Sequence, residues 1–146
     1  MKKMHVYSHT HWDYEWYFTA SESIIQLIYH MDEVISALES GTLKTYLLDS
    51  QVSILEEYLR MMPEKEPVIR KLVEEGKLMI GPWYTQSDEL IISGESLARN
   101  LWYGISYARE LGNCMMIGYL PDSFGQSKDM PKLYNGFDIR EALFWR

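Results

Sequence analysis

Five short apolar runs of β type alternate with segments of helical spacing, and that alternation limits the chain to a small set of folds. The runs cover residues 4–9, 45–49, 77–81, 115–120 and 141–145. Between the first two, Ile24, Ile25, Leu27, Ile28, Met31, Val34, Ile35 and Leu38 recur at helical spacing, the pattern that lines one face of a helix. Ser21-Glu22-Ser23 offers an N-cap with an acid in the first turn, and Gly41 a stop. Asp49-Ser50 reads as the cap of a second helix carrying Ile54, Leu55, Tyr58 and Leu59, which Pro63 ends. A third helix is expected over 64–75, with Pro67 in its first turn and Gly76 at its end. Ser93-Gly94-Glu95 opens a fourth that turns Leu97, Leu101, Ile105 and Ala108 inward and closes at Gly112, and a short fifth covers 131–135. Strands joined through helices run parallel, with right-handed crossovers. The expected fold is therefore α/β: one domain of parallel strands alternating with helices, layered or barrel-like.

Folds of this kind build their sites at the carboxyl ends of the strands. Polar clusters follow three of the four complete runs. The first is His9-Thr10-His11-Trp12-Asp13-Tyr14-Glu15-Trp16. His11 and Asp13, two apart, can point the same way from an extended loop, and imidazole with carboxylate suits a divalent ion, zinc above all. The same residues serve equally as an ordinary loop whose aromatics fill a local core. After the third run come Trp83, Tyr84, Gln86, Asp88 and Glu89; the two acids suit either substrate hydroxyls or a cap in a solvated loop. After the fourth comes Gly118-Tyr119-Leu120-Pro121-Asp122-Ser123-Phe124-Gly125. Pro121 makes a rigid corner and Gly125 permits a tight turn, so Asp122 is displayed, as a catalytic carboxylate or as the side chain of an Asx-turn.

Composition narrows the partners. The formal net charge is -7, and the Lys and Arg residues are scattered, which argues against nucleic acid and anionic membrane surfaces. A run of about 18 apolar residues, the length needed to span a bilayer, is lacking. The single cysteine, Cys114, sits in an apolar run as a small hydrophobe, which fits a reducing compartment, and the expected location is the cytoplasm. Aromatic content of 14% suits sugar faces, although core packing accounts for most such rings equally well.

The first and last of these clusters together resemble the amino-terminal signatures of glycoside hydrolase family 38, the α-mannosidases. Residues 9–16 resemble its His-x-His-x-Asp-x-x-Trp element and residues 122–125 its Asp-x-Phe-Gly element. Gly81-Pro82-Trp83-Tyr84-Thr85-Gln86, Tyr134-Asn135-Gly136-Phe137 and Phe144-Trp145-Arg146 draw the resemblance toward the bacterial branch that includes mannosylglycerate hydrolases. It spans essentially the whole chain. It implies a seven-stranded α/β barrel, of which residues 1–146 are the amino-terminal, incomplete portion of the catalytic domain. It further implies one Zn2+ held by His11, Asp13 and Asp122, with Asp122 also the nucleophile. Trp16 becomes the sugar platform, Phe124 a second wall, and His9 a neighbour of the metal site that does not bind the ion. The implied activity is retaining hydrolysis of terminal α-mannosides, with mannosylglycerate as one candidate substrate. The general acid and a further His ligand are then expected beyond Arg146, which leaves this chain inactive by itself. The fifth run would be an open sheet edge through which the chain self-associates. The competing reading is a stand-alone metal- or sugar-binding module of the same ancestry, without hydrolase activity.

Overall fold

The structure, a computed structural model, describes residues 2–145. In chain order its elements are β1 (Ser8–Thr10), α1 (Ala20–Glu39), β2 (Tyr46–Leu48), α2 (Ser53–Met61), a 3-10 turn (Pro63–Lys65), α3 (Glu66–Glu74), β3 (Leu78–Met79), α4 (Gly94–Glu110), β4 (Gly118–Pro121), α5 (Met130–Gly136) and β5 (Ala142–Trp145). All strand pairs are parallel, as the alternation requires. They form two sheets, one of order β1-β2-β3 and one of β4-β5. Hydrogen bonds tie the sheets together, among them one from Met115 N–H to the Ile80 carbonyl at 2.8 Å and one from the buried Ser50 hydroxyl to the Tyr119 carbonyl at 2.7 Å.

The core lies between the helices and the strands. Leu27, Met31, Val34, Ile35 and Leu38 of α1, Leu55 and Tyr58 of α2, Ile69 and Leu72 of α3, and Leu101 and Ala108 of α4 are buried with Leu48, Leu78 and Ile80. Each fully buried side chain of this size contributes about 1.5–3 kcal/mol through removal from water. The helical face read from the sequence is the face that is buried, except that Ile25 is exposed.

Three expectations need correction. The first strand is Ser8–Thr10 and not residues 4–9, and Met4 and Val6 are exposed, Val6 at 84%. A strand extends only as far as a partner bonds to it, and β2 offers β1 three residues, Tyr46 to Leu48. Helix α1 is capped at Thr19, two residues before the expected Ser21. The Thr19 hydroxyl accepts from Glu22 N–H while the Glu22 carboxylate accepts from Thr19 N–H at 2.9 Å, a reciprocal capping box. Ser23 is turned inward instead, its hydroxyl donating to the Tyr14 carbonyl. Asp49 and Ser50 do not cap α2, whose N-cap position is Val52 with no side-chain hydrogen bond. Both adopt left-handed backbone, φ 41° and 53°, and bend the chain sharply at the end of β2. Arg146, the last residue of one stretch that carries the family resemblance, lies outside the described residues.

Candidate active site

Parallel register assembles the site. Thr10 pairs with Leu48, so the residues that follow, His11 and Asp49, leave neighbouring strand ends side by side. Asp122 likewise is the first residue after β4. Three strands thus deliver an imidazole and two carboxylates to one edge, and Asp13 joins them from the loop after β1.

His11 stands at the centre. Its Nδ1 lies 3.2 Å from Asp49 Oδ1, and because a carboxylate only accepts, this nitrogen carries the proton. Nε2 then faces Asp13 Oδ1 at 3.6 Å and Asp122 Oδ2 at 3.8 Å. In a neutral ring that nitrogen is a lone pair turned toward two carboxylate oxygens, an arrangement stabilised by a positive charge among them. The hydrogen bond to Asp49 is the main cause that raises the His11 pKa above the ordinary imidazole range, with the charges of Asp49, Asp13 and Asp122 adding to it against partial burial.

The donor set, one nitrogen and two carboxylates, has the chemistry that zinc takes. Bonds of about 2.0–2.2 Å in a tetrahedron put neighbouring donors roughly 3.3–3.6 Å apart; the Asp13 separation of 3.6 Å reaches the top of that range and the Asp122 separation of 3.8 Å lies just above it. Among the described residues no three His, Cys, Asp or Glu side chains form a closed ligand set as they stand. The residues fit the ion in donor type, with one oxygen of Asp13 and one of Asp122 facing His11 Nε2.

The cleft beside this cluster, about 170 Å³, is lined by His11, Asp13, Gln86, Asp88, Asp122 and Phe124 among others. Asp122 sits in left-handed backbone, φ 59°, which an aspartate tolerates better than most residues. Phe124 is 64% exposed and forms part of the wall. Trp16 is 70% exposed, packs edge-on against Tyr17, and is not among the residues lining this cleft. His9 points elsewhere. Its ring packs near Tyr7, Tyr119 and Trp145, with Tyr119 Oη 3.3 Å from Nδ1.

Asp88 and Glu89 turn out to brace the loop that carries Asp122. Asp88 Oδ1 accepts from Phe124 N–H at 2.7 Å, and Glu89 Oε2 accepts from Ser127 N–H at 2.5 Å. Glu89 is buried, and burial raises its carboxyl pKa. A raised carboxyl binds its proton more tightly in the folded chain. Its contribution to stability is complete below the ordinary glutamate value and is lost as pH rises through the folded value. Melting temperature should therefore fall across that window in the wild type and fall less in Glu89→Gln; parallel pH profiles for the two proteins would remove Glu89 as the cause.

The loop from 84 to 87 is clamped by α4. Asn100 Oδ1 accepts from Tyr84 N–H at 2.8 Å and Thr85 N–H at 3.1 Å, and its amide donates to the Thr85 carbonyl at 2.7 Å. The clamp sets Gln86 beside Asp49. Sequence reasoning missed Asn100, which looks like one polar residue among many in a helix read only for its apolar face. It also missed Asp49, although a signal was present: Asp49 ends its β-type run as His11 follows its own, and a parallel sheet aligns such positions.

The Glycosyl hydrolases family 38 N-terminal domain model matches residues 1–146. The chain is 39% identical over 147 residues to a protein of Halalkalibacterium halodurans named "Putative mannosylglycerate hydrolase", covering 99% of this chain and 16% of that protein. Among solved structures it resembles an alpha-mannosidase from Enterococcus faecalis V583 at 37% identity, with a TM-score of 0.91 over 94% of this chain and 16% of the other. It also resembles a glycosyl hydrolase family 38 protein from Enterococcus faecalis at 34% identity, with a TM-score of 0.83 over 94% of this chain and 16% of that one. The chain spans about one sixth of the length of these relatives.

Proposed function

The chain belongs to glycosyl hydrolase family 38, and from that premise we propose that the whole protein is a zinc-dependent α-mannosidase acting with retention. Mannosylglycerate is its proposed substrate, by likeness to the relative that bears that name. The observation that carries the reading is the meeting of His11, Asp13 and Asp122 at the carboxyl ends of β1 and β4. In this reading the strands continue into a closed barrel.

His11, Asp13 and Asp122 would hold the ion. When bound, zinc supplies a grip on two adjacent ring hydroxyls and helps distort the sugar toward its transition state. Asp122 attacks the anomeric carbon as the bond to the leaving oxygen breaks, giving a mannosyl ester on its carboxylate. A second carboxylic acid protonates that oxygen, then takes a proton from the water that cleaves the ester from the same side. Two inversions leave the configuration unchanged. Phe124 walls the cleft, and Trp16 is the proposed platform for the sugar's apolar face. The second acid and a further ligand belong, in this reading, to the part of the protein outside these residues, so the 146-residue chain alone should show no turnover.

Proton NMR during hydrolysis of an aryl α-mannoside by the whole protein is expected to show α-mannose first. β-Mannose first would sink the retaining mechanism, whereas inactivity on mannosylglycerate alone would sink only that substrate.

No helix among the described residues is long and apolar enough to cross a membrane, and the buried free Cys114 supports a cytoplasmic location. Strand β5 pairs with β4 on one side and leaves Phe144 52% exposed. Self-association of the 146-residue chain through this strand is proposed accordingly. Sedimentation should show dimers that Phe144→Glu disperses; monomers at high concentration would count against it.

A further inference from the structure

We propose that Asp49 is the positioning residue for His11, holding the ring so that Nε2, and not Nδ1, is presented toward Asp13 and Asp122. The inference deepens the metal-site reading above and rests on it. Asp49 is 0% exposed, and its two oxygens receive four donors. Oδ1 accepts from His11 Nδ1 at 3.2 Å and Gln86 Nε2 at 3.1 Å, while Oδ2 accepts from Trp12 N–H and Gln51 Nε2, both at 2.7 Å. A carboxylate offers about four lone-pair sites, so this one is saturated by donors.

The arrangement constrains the ring in three ways. The bond from Trp12 N–H fixes the backbone directly after His11. The bond to Nδ1 fixes the tautomer and the ring rotation, leaving Nε2 as the only ring nitrogen able to bind an ion. Gln51 and Gln86 hold the carboxylate itself, Gln51 also donating to the Trp12 carbonyl at 3.0 Å. Asp49 reaches this position only through left-handed backbone, φ 41°. Such a conformation is unfavourable for a residue with a side chain and persists where surrounding contacts enforce it. A helix cap would need no such turn. The position is instead spent on aiming one carboxylate at one imidazole, and a carboxylate behind a liganding histidine raises the ring's basicity and affinity for metal.

Asparagine at 49 keeps the shape but turns an amide NH2 toward two of the four donors, so two of the four bonds become donor-donor clashes. In the whole protein, zinc affinity measured by chelator competition is expected to weaken about 10–100-fold in Asp49→Asn. Turnover should recover with excess zinc, which a general loss of packing would not allow. A folded Asp49→Asn with a zinc dissociation constant within about threefold of wild type overturns the proposal; the threshold sits well below the range expected for such partners. If that variant does not fold, the wild type still decides. Loaded with Co2+, it should show a hyperfine-shifted, solvent-exchangeable proton from His11 Nδ1, absent in His11→Ala. A sharp, non-exchangeable ring C–H line from His11 beside that signal overturns the proposal, because ligation through Nδ1 moves the Cδ2 proton away from the metal whereas ligation through Nε2 keeps both ring C–H protons next to it and broadens them. Zinc binding unchanged in His11→Ala would remove the metal-site reading and this inference together. Binding lost in His11→Ala but kept in Asp49→Asn would remove this inference alone.

Discussion

Replacing Asp122 with asparagine in the whole protein should lower kcat/KM for an aryl α-mannoside by about 10⁴-fold, roughly 5.5 kcal/mol of transition-state stabilisation. The size follows from what is lost. An amide cannot form the mannosyl ester, and it is a poor partner for a cation beside His11 Nε2. The change spares the fold. Asparagine tolerates the left-handed backbone at φ 59° as aspartate does, and the main-chain bond from residue 122 N–H to the Trp145 carbonyl, 3.1 Å, does not involve the side chain. Melting temperature should therefore move little while turnover collapses. A loss of less than about tenfold in a folded variant would rule out nucleophilic catalysis by Asp122.

The second large effect is on stability, and its sign is opposite to helix propensity. Gly104 lies inside α4, where alanine would ordinarily gain about 1 kcal/mol. Here a Cβ would overlap the Pro82 carbonyl oxygen and the main chain of Trp83 and Tyr84. Those atoms are backbone, and cannot step aside as a flexible side chain would. Asn100, one turn earlier on the same face, already ties Tyr84 and Thr85 to the helix. Gly104→Ala should push α4 off this segment and destabilise the protein by about 3 kcal/mol. It should also loosen Gln86, which reaches Asp49 from the same loop. Chemical denaturation of the whole protein, followed at the aromatic signal of the buried Trp83, measures the first effect. A midpoint at or above that of the wild type would mean the helix does not approach the segment this closely.

The element order was legible because burial on one face imposes a period, and period is a local property. Leu27, Met31, Val34 and Leu38 announce their helix without reference to anything distant, and the alternation of such segments with β-type runs leaves parallel pairing as the outcome. Strand lengths were not legible. How many residues of 4–9 join β1 depends on how many β2 can bond, and that is a property of the partner. The cap at Thr19 was missed for a related reason: Ser21, Ser23 and Thr19 are all fit to cap, and Ser23 is removed from the choice only because its hydroxyl is drawn inward to the Tyr14 carbonyl.

The sequence by itself put His11, Asp13 and Asp122 directly after β-type runs and carried the motifs whose family resemblance makes them the candidate site, although an ordinary loop or an Asx-turn uses the same residue types. Tertiary structure alone decided which polar residues support them. Asp49 is 38 positions from His11, Gln86 is 37 from Asp49, and Asn100 holds a loop 15 positions before it. Nothing local marks a helical Asn as such a partner, and a cap-like Asp-Ser is marked only by its place at the end of a β-type run. Their roles arise when parallel register brings separate strand ends to a common edge, and when a helix without a Cβ at Gly104 can lie directly on the backbone that carries Gln86.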